Sequence, residues 1–263
     1  MSVRLTKHHG LRNDFLVWLD GDVACGPANA VRWCNRREGI GADGLLVGVR
    51  RGVETWQMVL FNGDGSRAEM SGNGIRCFAQ AIGEGRPGIY EIETDGGVRR
   101  VQVTATEDPL TIDASVDMGL IGEGLASPTW SAIGCDPHRP VLHLSLGNPH
   151  TVVGVEDVKA LDLRAIGEQV PDVNLEVVEP GPEPFAITMR VHERGAGITE
   201  ACGTGACASA WAATRWGMVP STAHEVLVHM DGGDARVRLD TPEPGRVTLV
   251  GPAVLIGTVE VIT

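Results

Sequence analysis

Aromatic residues are scarce in this 263-residue chain, which holds six Trp, four Phe and one Tyr. So few rings leave no stacking platform for single-stranded bases. Basic residues are outnumbered as well, 22 Lys and Arg against 34 Asp and Glu, for a formal charge of −12 at pH 7. That balance argues against nucleic acid or an anionic membrane surface as the main partner. No apolar run approaches the roughly 20 residues that cross a bilayer; the longest, such as Ala253–Ile256, are strand-sized. The opening MSVRLTKHHGLRNDFLVWLD has no apolar stretch after its basic residues, so no secretory signal is expected. The six cysteines (Cys25, Cys34, Cys77, Cys135, Cys202 and Cys207) include no C-x-x-C pair, unlike a disulfide framework or a structural zinc site. The expectation is a cytoplasmic protein with reduced thiols. With 43% hydrophobic and 21% charged residues, the chain has an ordinary globular composition, long enough for one large domain or two smaller ones.

Glycine, by contrast, is abundant at 35 residues and punctuates short runs of β character. Strands are predicted at Thr55–Phe61, Ile89–Thr94, Val98–Thr104 and Thr111–Met118. A second set follows at Val141–Ser145, Thr151–Val155, Phe185–Val191, Glu225–His229, Ala235–Leu239, Val247–Val250 and Val254–Ile262. They are rich in Val, Ile and Thr and bounded by turn formers. Helical patterns are fewer: one beginning at Asn29–Cys34, then Gly74–Ala81, Val158–Ile166 and the Ala-dense Gly205–Trp216, closed by Gly217. Runs of strands with isolated helices indicate an α+β fold.

One internal echo organises the rest. Met70-Ser71-Gly72-Asn73-Gly74 precedes one helix and Ala201-Cys202-Gly203-Thr204-Gly205 another, about half the chain apart. Two similar halves follow from it, with the seam expected in Gly119–Pro128. Each would present a small polar residue and a glycine turn at a helix N-terminus. Such a terminus offers N–H groups without partners inside the helix and a partial positive charge, and so suits a carboxylate or phosphate. A cysteine there has its thiolate favoured, which would bring Cys202 from about 8.5 towards neutrality. Cys77 and Cys207, further along their helices, read as core. The glycines fit no P-loop, no dinucleotide fingerprint and no serine-hydrolase elbow, because G-K-[ST], the third glycine and G-x-S-x-G are all missing.

Taken together, these segments resemble the diaminopimelate epimerase family. Its first signature is matched by Asn62-Gly63-Asp64-Gly65-Ser66 and Met70-Ser71-Gly72-Asn73-Gly74-Ile75-Arg76. The second is matched by Glu193-Arg194-Gly195-Ala196-Gly197 and Ala201-Cys202-Gly203-Thr204-Gly205-Ala206-Cys207. Further matches are Lys7–Phe15, Gly39–Gly44 and Gly147-Asn148-Pro149-His150. The resemblance implies two pseudo-symmetric halves, each a curved mixed β-sheet around a central helix, with the active site in the cleft between them. Residues 1–118, completed by 254–263, would form one half and 119–253 the other. It also implies a homodimer that uses no metal, pyridoxal phosphate or other cofactor and interconverts LL- and meso-2,6-diaminopimelate for lysine and peptidoglycan synthesis. Cys202 and residue 71 would be the catalytic pair, with His150 and Glu193 tuning them. Substrate contacts would fall to Asn13, Asn62, Asn148, Asn174, Glu193 and Arg194, and to the turn groups Gly72, Asn73, Gly203 and Thr204. Read without the resemblance, Asn13, Asn62 and Asn148 are turn formers, Arg194 a surface ion pair and His150 a loop histidine.

Ser71 departs from the family pattern, which has cysteine there, and Arg12 replaces a usual glycine. A hydroxyl is a far weaker acid than a thiol, and each pKa unit is worth about 1.36 kcal/mol of proton transfer. Three readings of Ser71 follow: a substitution made to trap the site, a natural serine or bound water serving that face, or loss of the epimerase activity. Two alternative functions accompany them. A proline racemase-like hydroxyproline epimerase or dehydratase would share the architecture, although its first turn reads G-H-G rather than Gly72-Asn73-Gly74. A silent paralogue would bind substrate and leave its α-protons in place.

Overall fold

A computed structural model describes residues 2–52, 55–239 and 243–262; Met1 and Thr263, the ends of the expected first half, lie outside them. The chain forms two compact units, Met1–Val116 with Gly251–Thr263, and Asp117–Val250.

In the first unit the order is β1 (Ser2–Gly10), β2 (Asn13–Leu19), α1 (Gly26–Trp33), β3 (Gly44–Arg50), β4 (Trp56–Asn62), β5 (Arg67–Ala68), α2 (Gly72–Gly83), β6 (Gly88–Thr94), β7 (Gly97–Ala105) and β8 (Thr111–Leu120). In the second it is β9 (Gly122–Glu123), β10 (Val141–Ser145), β11 (Pro149–Gly154), α3 (Leu163–Gly167), β12 (Asn174–Pro180), β13 (Ala186–Glu193), β14 (Gly197–Thr199), α4 (Gly203–Trp216), β15 (Glu225–Met230), β16 (Gly233–Arg238) and β17 (Arg246–Ile262). The last residues of β8 belong to the second unit and most of β17 to the first.

The two units repeat one topology. In the first, β1–β2 is antiparallel, β2–β3 parallel across α1, β3–β4 antiparallel, β4–β6 parallel across α2, and β6–β7 and β7–β8 antiparallel. In the second, β10–β11, β11–β12 across α3, β12–β13, β13–β15 across α4, β15–β16 and β16–β17 follow the same alternation. A short hairpin strand, β5 on β4 or β14 on β13, precedes each central helix. The sheet of the first unit continues through β8–β17 and β17–β1.

Each sheet packs one face on a long helix and part of the other on a shorter one. α2 packs against β1, β2, β3, β4, β6 and β7, and α4 against β10, β11, β12, β13, β15 and β16. Ile75, Cys77, Phe78 and Ala79 of α2 are fully buried, as are Ala206, Cys207, Ala208, Ala210, Ala212 and Ala213 of α4. Alanine on nearly every side suits a helix that strands enclose. A second apolar layer, with Trp33, Leu45, Val47 and Phe61, lies under α1, and another, with Leu163, Val173, Leu175 and Val177, under α3. Cys77 is core as expected, and burial pushes its thiol up to about 12.

Several boundaries differ from the sequence reading. α1 starts at Gly26 because Pro27 sits in its first turn. α2 and α4 start at Gly72 and Gly203, directly after extended residues Ser71 and Cys202. The helix expected over Val158–Ile166 forms only at Leu163–Gly167. Before it, the Asp157 side chain accepts the Lys159 N–H and Glu179 takes the Val158 N–H, while Asp162 caps the helix that does form. Val247–Val250 and Val254–Ile262 are one strand, β17, paired with β16 before Gly251-Pro252 and with β1 after it. Among the described residues no helix is long and apolar enough to cross a membrane.

Candidate active site

The two glycine turns open their helices alike and then diverge. Ser71 (φ −135°, ψ 124°) and Cys202 (φ −125°, ψ 114°) are both extended N-cap residues, and their carbonyls accept the N–H of Ile75 and Ala206 at 2.9 Å.

In the first unit, Ser71 Oγ accepts the Gly74 N–H at 3.0 Å, a side-chain cap. Behind it lies Arg76, fully buried. Its guanidinium donates to Gly72 O at 3.0 Å, Asn73 Oδ1 at 2.8 Å and Pro252 O at 3.1 Å, tying the helix mouth to β17. Asn73 in turn donates to Asn13 Oδ1 at 3.4 Å, and Asn13 donates to Asp43 at 2.9 Å. Asp43 and Asp14 share Arg36, and Asp14 also meets Lys7. Burial opposes ionisation of Asp14, but the hydrogen bonds from Arg36 and Lys7 outweigh it and hold the carboxyl below its usual range. Of the expected contacts, Ser71, Gly72, Asn73 and Asn13 are thus brought together. Asn62, level with Gly44 beside Asp43, is exposed and donates to Ser66 Oγ instead. Among the described residues no histidine or carboxylate hydrogen-bonds to Ser71 Oγ.

In the second unit the N-cap residue does not cap. Cys202 makes no side-chain cap bond; its Sγ lies 3.5 Å from Thr204 Oγ1. Asn148 donates to Thr204 Oγ1 at 3.2 Å, and its Oδ1 lies 3.0 Å from His150 Nε2. His150 Nδ1 is 2.7 Å from Glu176 Oε1, both side chains being wholly buried. Parallel pairing explains this meeting. His150 of β11 is level with Asn174 of β12, and Glu176, two residues on, shares that face. Thr199 Oγ1 donates to Glu193. Burial raises the Glu193 pKa, against hydrogen bonds from Thr199 and Cys202 that lower it. Asn174 accepts the Arg194 N–H at 2.9 Å and donates to Pro149 O at 3.1 Å, fixing two loops; the Arg194 side chain is exposed.

One expectation is overturned. Cys202 does not have a lowered pKa; it is raised well above the ordinary thiol value. Burial is the largest cause, and the charges of Glu193 and Glu176 add to it. The Thr204 hydroxyl and the Gly205 N–H pull the other way and lose. The helix mouth is real, but two carboxylates stand in front of it. At rest, Cys202 is a thiol beside Glu193, a carboxylate made more basic by its surroundings. That couple can pass a proton.

Two residues escaped the sequence reading. Arg76 lies inside the first matched signature, where the resemblance implies no role for it. Glu176 left one signal, an acidic residue inside the apolar run Leu175–Val178.

The profile of the diaminopimelate epimerase family matches residues 5–121 and 143–256. A diaminopimelate epimerase of Gloeothece citriformis (strain PCC 7424) is 37% identical, over 96% of this chain and 96% of its own. One from Magnetococcus marinus is 38% identical, over 96% and 95%. Among solved structures, a phenazine biosynthesis protein from Bacillus anthracis superposes with a TM-score of 0.76 at 15% identity, covering 100% of both chains. A hydroxyproline epimerase from Agrobacterium vitis does so with 0.68 at 15% identity, covering 99% of this chain and 91% of its own. At such identities these two share the fold alone. With full-length relatives above a third identical and both glycine turns inside the matched segments, the chain belongs to the diaminopimelate epimerase family.

Proposed function

We propose that this protein is an isomerase that interconverts LL- and meso-diaminopimelate by removing and returning the proton at Cα. The observation that carries the reading is Cys202, uncapped at the mouth of α4 with Glu193 against it, in a chain of that family. An amino-acid α-proton is a very weak acid, so the developing carbanion needs strong stabilisation. Helix-mouth N–H groups at Gly72-Asn73 and Gly203-Thr204 are suited to hold the α-carboxylate as charge grows. Glu193 accepts the thiol proton and the Cys202 thiolate takes the α-proton from one face; return from Cys202 restores the starting isomer, and a proton given to the opposite face by the Ser71 hydroxyl inverts the centre. No step in this scheme draws on a metal or pyridoxal phosphate. Asn13, Asn62, Asn148, Asn174 and Arg194 are proposed to orient the substrate, His150 to tune Cys202, and the enzyme to work as a cytoplasmic homodimer.

Ser71 makes the two faces unequal. Its hydroxyl carries a proton it can donate, but among the described residues no histidine or carboxylate hydrogen-bonds to it to prepare it to accept one. Exchange at Cα should therefore outrun inversion. Proton NMR of each isomer incubated with the protein in D₂O tests this. Deuterium at Cα, gained faster than the isomers interconvert, is the expected result. No exchange from either isomer would remove the reading and leave a silent binder or another substrate.

A further inference from the structure

Glu176 has no role in the scheme above, yet it is the most deeply enclosed acidic side chain of this site. Strand β12 presents it among Leu175, Val177 and Val178, where a lone carboxylate costs several kcal/mol unless paired. Oε1 has His150 Nδ1 at 2.7 Å, while Oε2 is buried with no hydrogen-bond partner. Space for it has been left in α4: a Cβ at Gly205 would sit 2.6 Å from Oε1.

The consequence lies in how donors and acceptors alternate from Glu176 to the sulfur. An imidazole nitrogen facing a carboxylate carries its proton, so Nδ1 is a donor. Nε2 then has two settings. If it is bare, the Asn148 amide must turn its NH₂ to the ring and its oxygen to Thr204. Thr204 donates its hydroxyl to that oxygen, and its own oxygen accepts the Cys202 S–H. If Nε2 is protonated, Asn148 presents Oδ1 to the ring and its NH₂ to Thr204 Oγ1. The Thr204 hydroxyl is then free to donate to a Cys202 thiolate. Each setting satisfies every link, and a mixed one opposes two donors or two acceptors. The structure holds the second amide orientation, with the thiol proton turned to Glu193 and Thr204 placed to donate to the sulfur. The charged groups facing the sulfur are Glu193 from β13 and Glu176 from β12.

We propose that Glu176 is a positioning residue: by holding Nδ1–H of His150 it fixes the ring against which Asn148 and Thr204 align, and so sets whether the Cys202 sulfur gives or receives a hydrogen bond. The proposal deepens the epimerase reading and rests on Cys202 being its acid–base group.

Two readouts need no substrate. In ¹⁵N-histidine NMR of the full-length protein, His150 Nδ1 is expected to be protonated and strongly hydrogen-bonded, and that signature to be lost in Glu176→Gln. A wild-type Nδ1 without its proton overturns the proposal. Alkylation of Cys202 by iodoacetamide, followed on its peptide by mass spectrometry, should slow about tenfold in Thr204→Val and recover in Thr204→Ser. Equal rates in all three overturn it, and this pair stands even if Glu176→Gln fails to fold. With diaminopimelate, Glu176→Gln should lower kcat about tenfold with KM nearly unchanged; a raised KM at constant kcat would make Glu176 a binding residue instead. Wild-type protein inert towards diaminopimelate refutes the epimerase reading, while the two spectroscopic and labelling tests still judge this one.

Discussion

The mouths of α2 and α4 share a backbone and differ in everything that touches a proton. At α2 the N-cap side chain is consumed by the helix, Ser71 Oγ on the Gly74 N–H, and the buried charge behind it is a guanidinium, Arg76. At α4 the N-cap sulfur makes no such cap bond, although the Gly205 N–H favours its thiolate, and the buried charges around it are the carboxylates Glu193 and Glu176. Buried histidines of the two units contrast as well: His8 of β1 meets an amide, Gln80, at 2.9 Å, whereas His150 meets a carboxylate. Repeating a fold thus places two equivalent positions, and the residues around each decide whether it handles an anion or a proton.

The largest break in this comparison should come from Cys202→Ala, which removes the acid–base group and should cut α-proton exchange by about 10²–10⁴-fold, measured in D₂O. An unchanged exchange rate would move the chemistry away from α4.

His8 sharpens the contrast through pH. Burial, the largest cause, lowers its pKa to about 4, against a hydrogen bond to the Gln80 oxygen that raises it. Because the folded value lies below the unfolded value of about 6.5, the stabilisation is full above pH 6.5 and is lost as pH falls towards 4. The loss amounts to about 3 kcal/mol. Urea unfolding across that range should show the slope, and His8→Gln should flatten it.

Gly205→Ala drives a methyl group at Glu176 and should cost about 1–3 kcal/mol; an equal midpoint would mean the carboxylate moves freely. Smallest in stability is Ser71→Cys, which gives up the cap for about 1 kcal/mol. The same change should raise isomer interconversion at least about tenfold, so a less stable, more active protein is expected.

Much of the site was legible because its residue types are costly to place. Cys202, Thr204, Asn148, His150 and Glu193 lie in or beside glycine-bounded turns that packing alone does not require, and hydrogen bonds and charge link them in the structure. Glu176 was hidden because its neighbours in sequence are apolar; its partners come from β11 and α4, reached through pairing that a linear pattern does not encode. The direction of the Cys202 shift was illegible for the same reason. The fold was read well where strands alternate, as in β8, and poorly where they do not. β3 (Gly44–Arg50) is apolar on both faces because α1 and α2 cover it. Lys7, His8 and His9 disguise β1, and the Gly251-Pro252 pair made β17 look like two strands.

That last strand also sets an order of assembly. Residues 117–250 form a continuous stretch, so the second unit has all its strands once synthesis reaches Val250. The first unit has almost all of its own much earlier, yet β1 must wait for Val254–Ile262 to supply its outer neighbour. Until those residues emerge, the earliest-made strand exposes an unpaired edge, open to pairing with another chain. The half made first is therefore the half finished last: a chain ended at Val250 would hold every strand of the second unit, while β1 lacked its outer neighbour and Arg76 the Pro252 carbonyl.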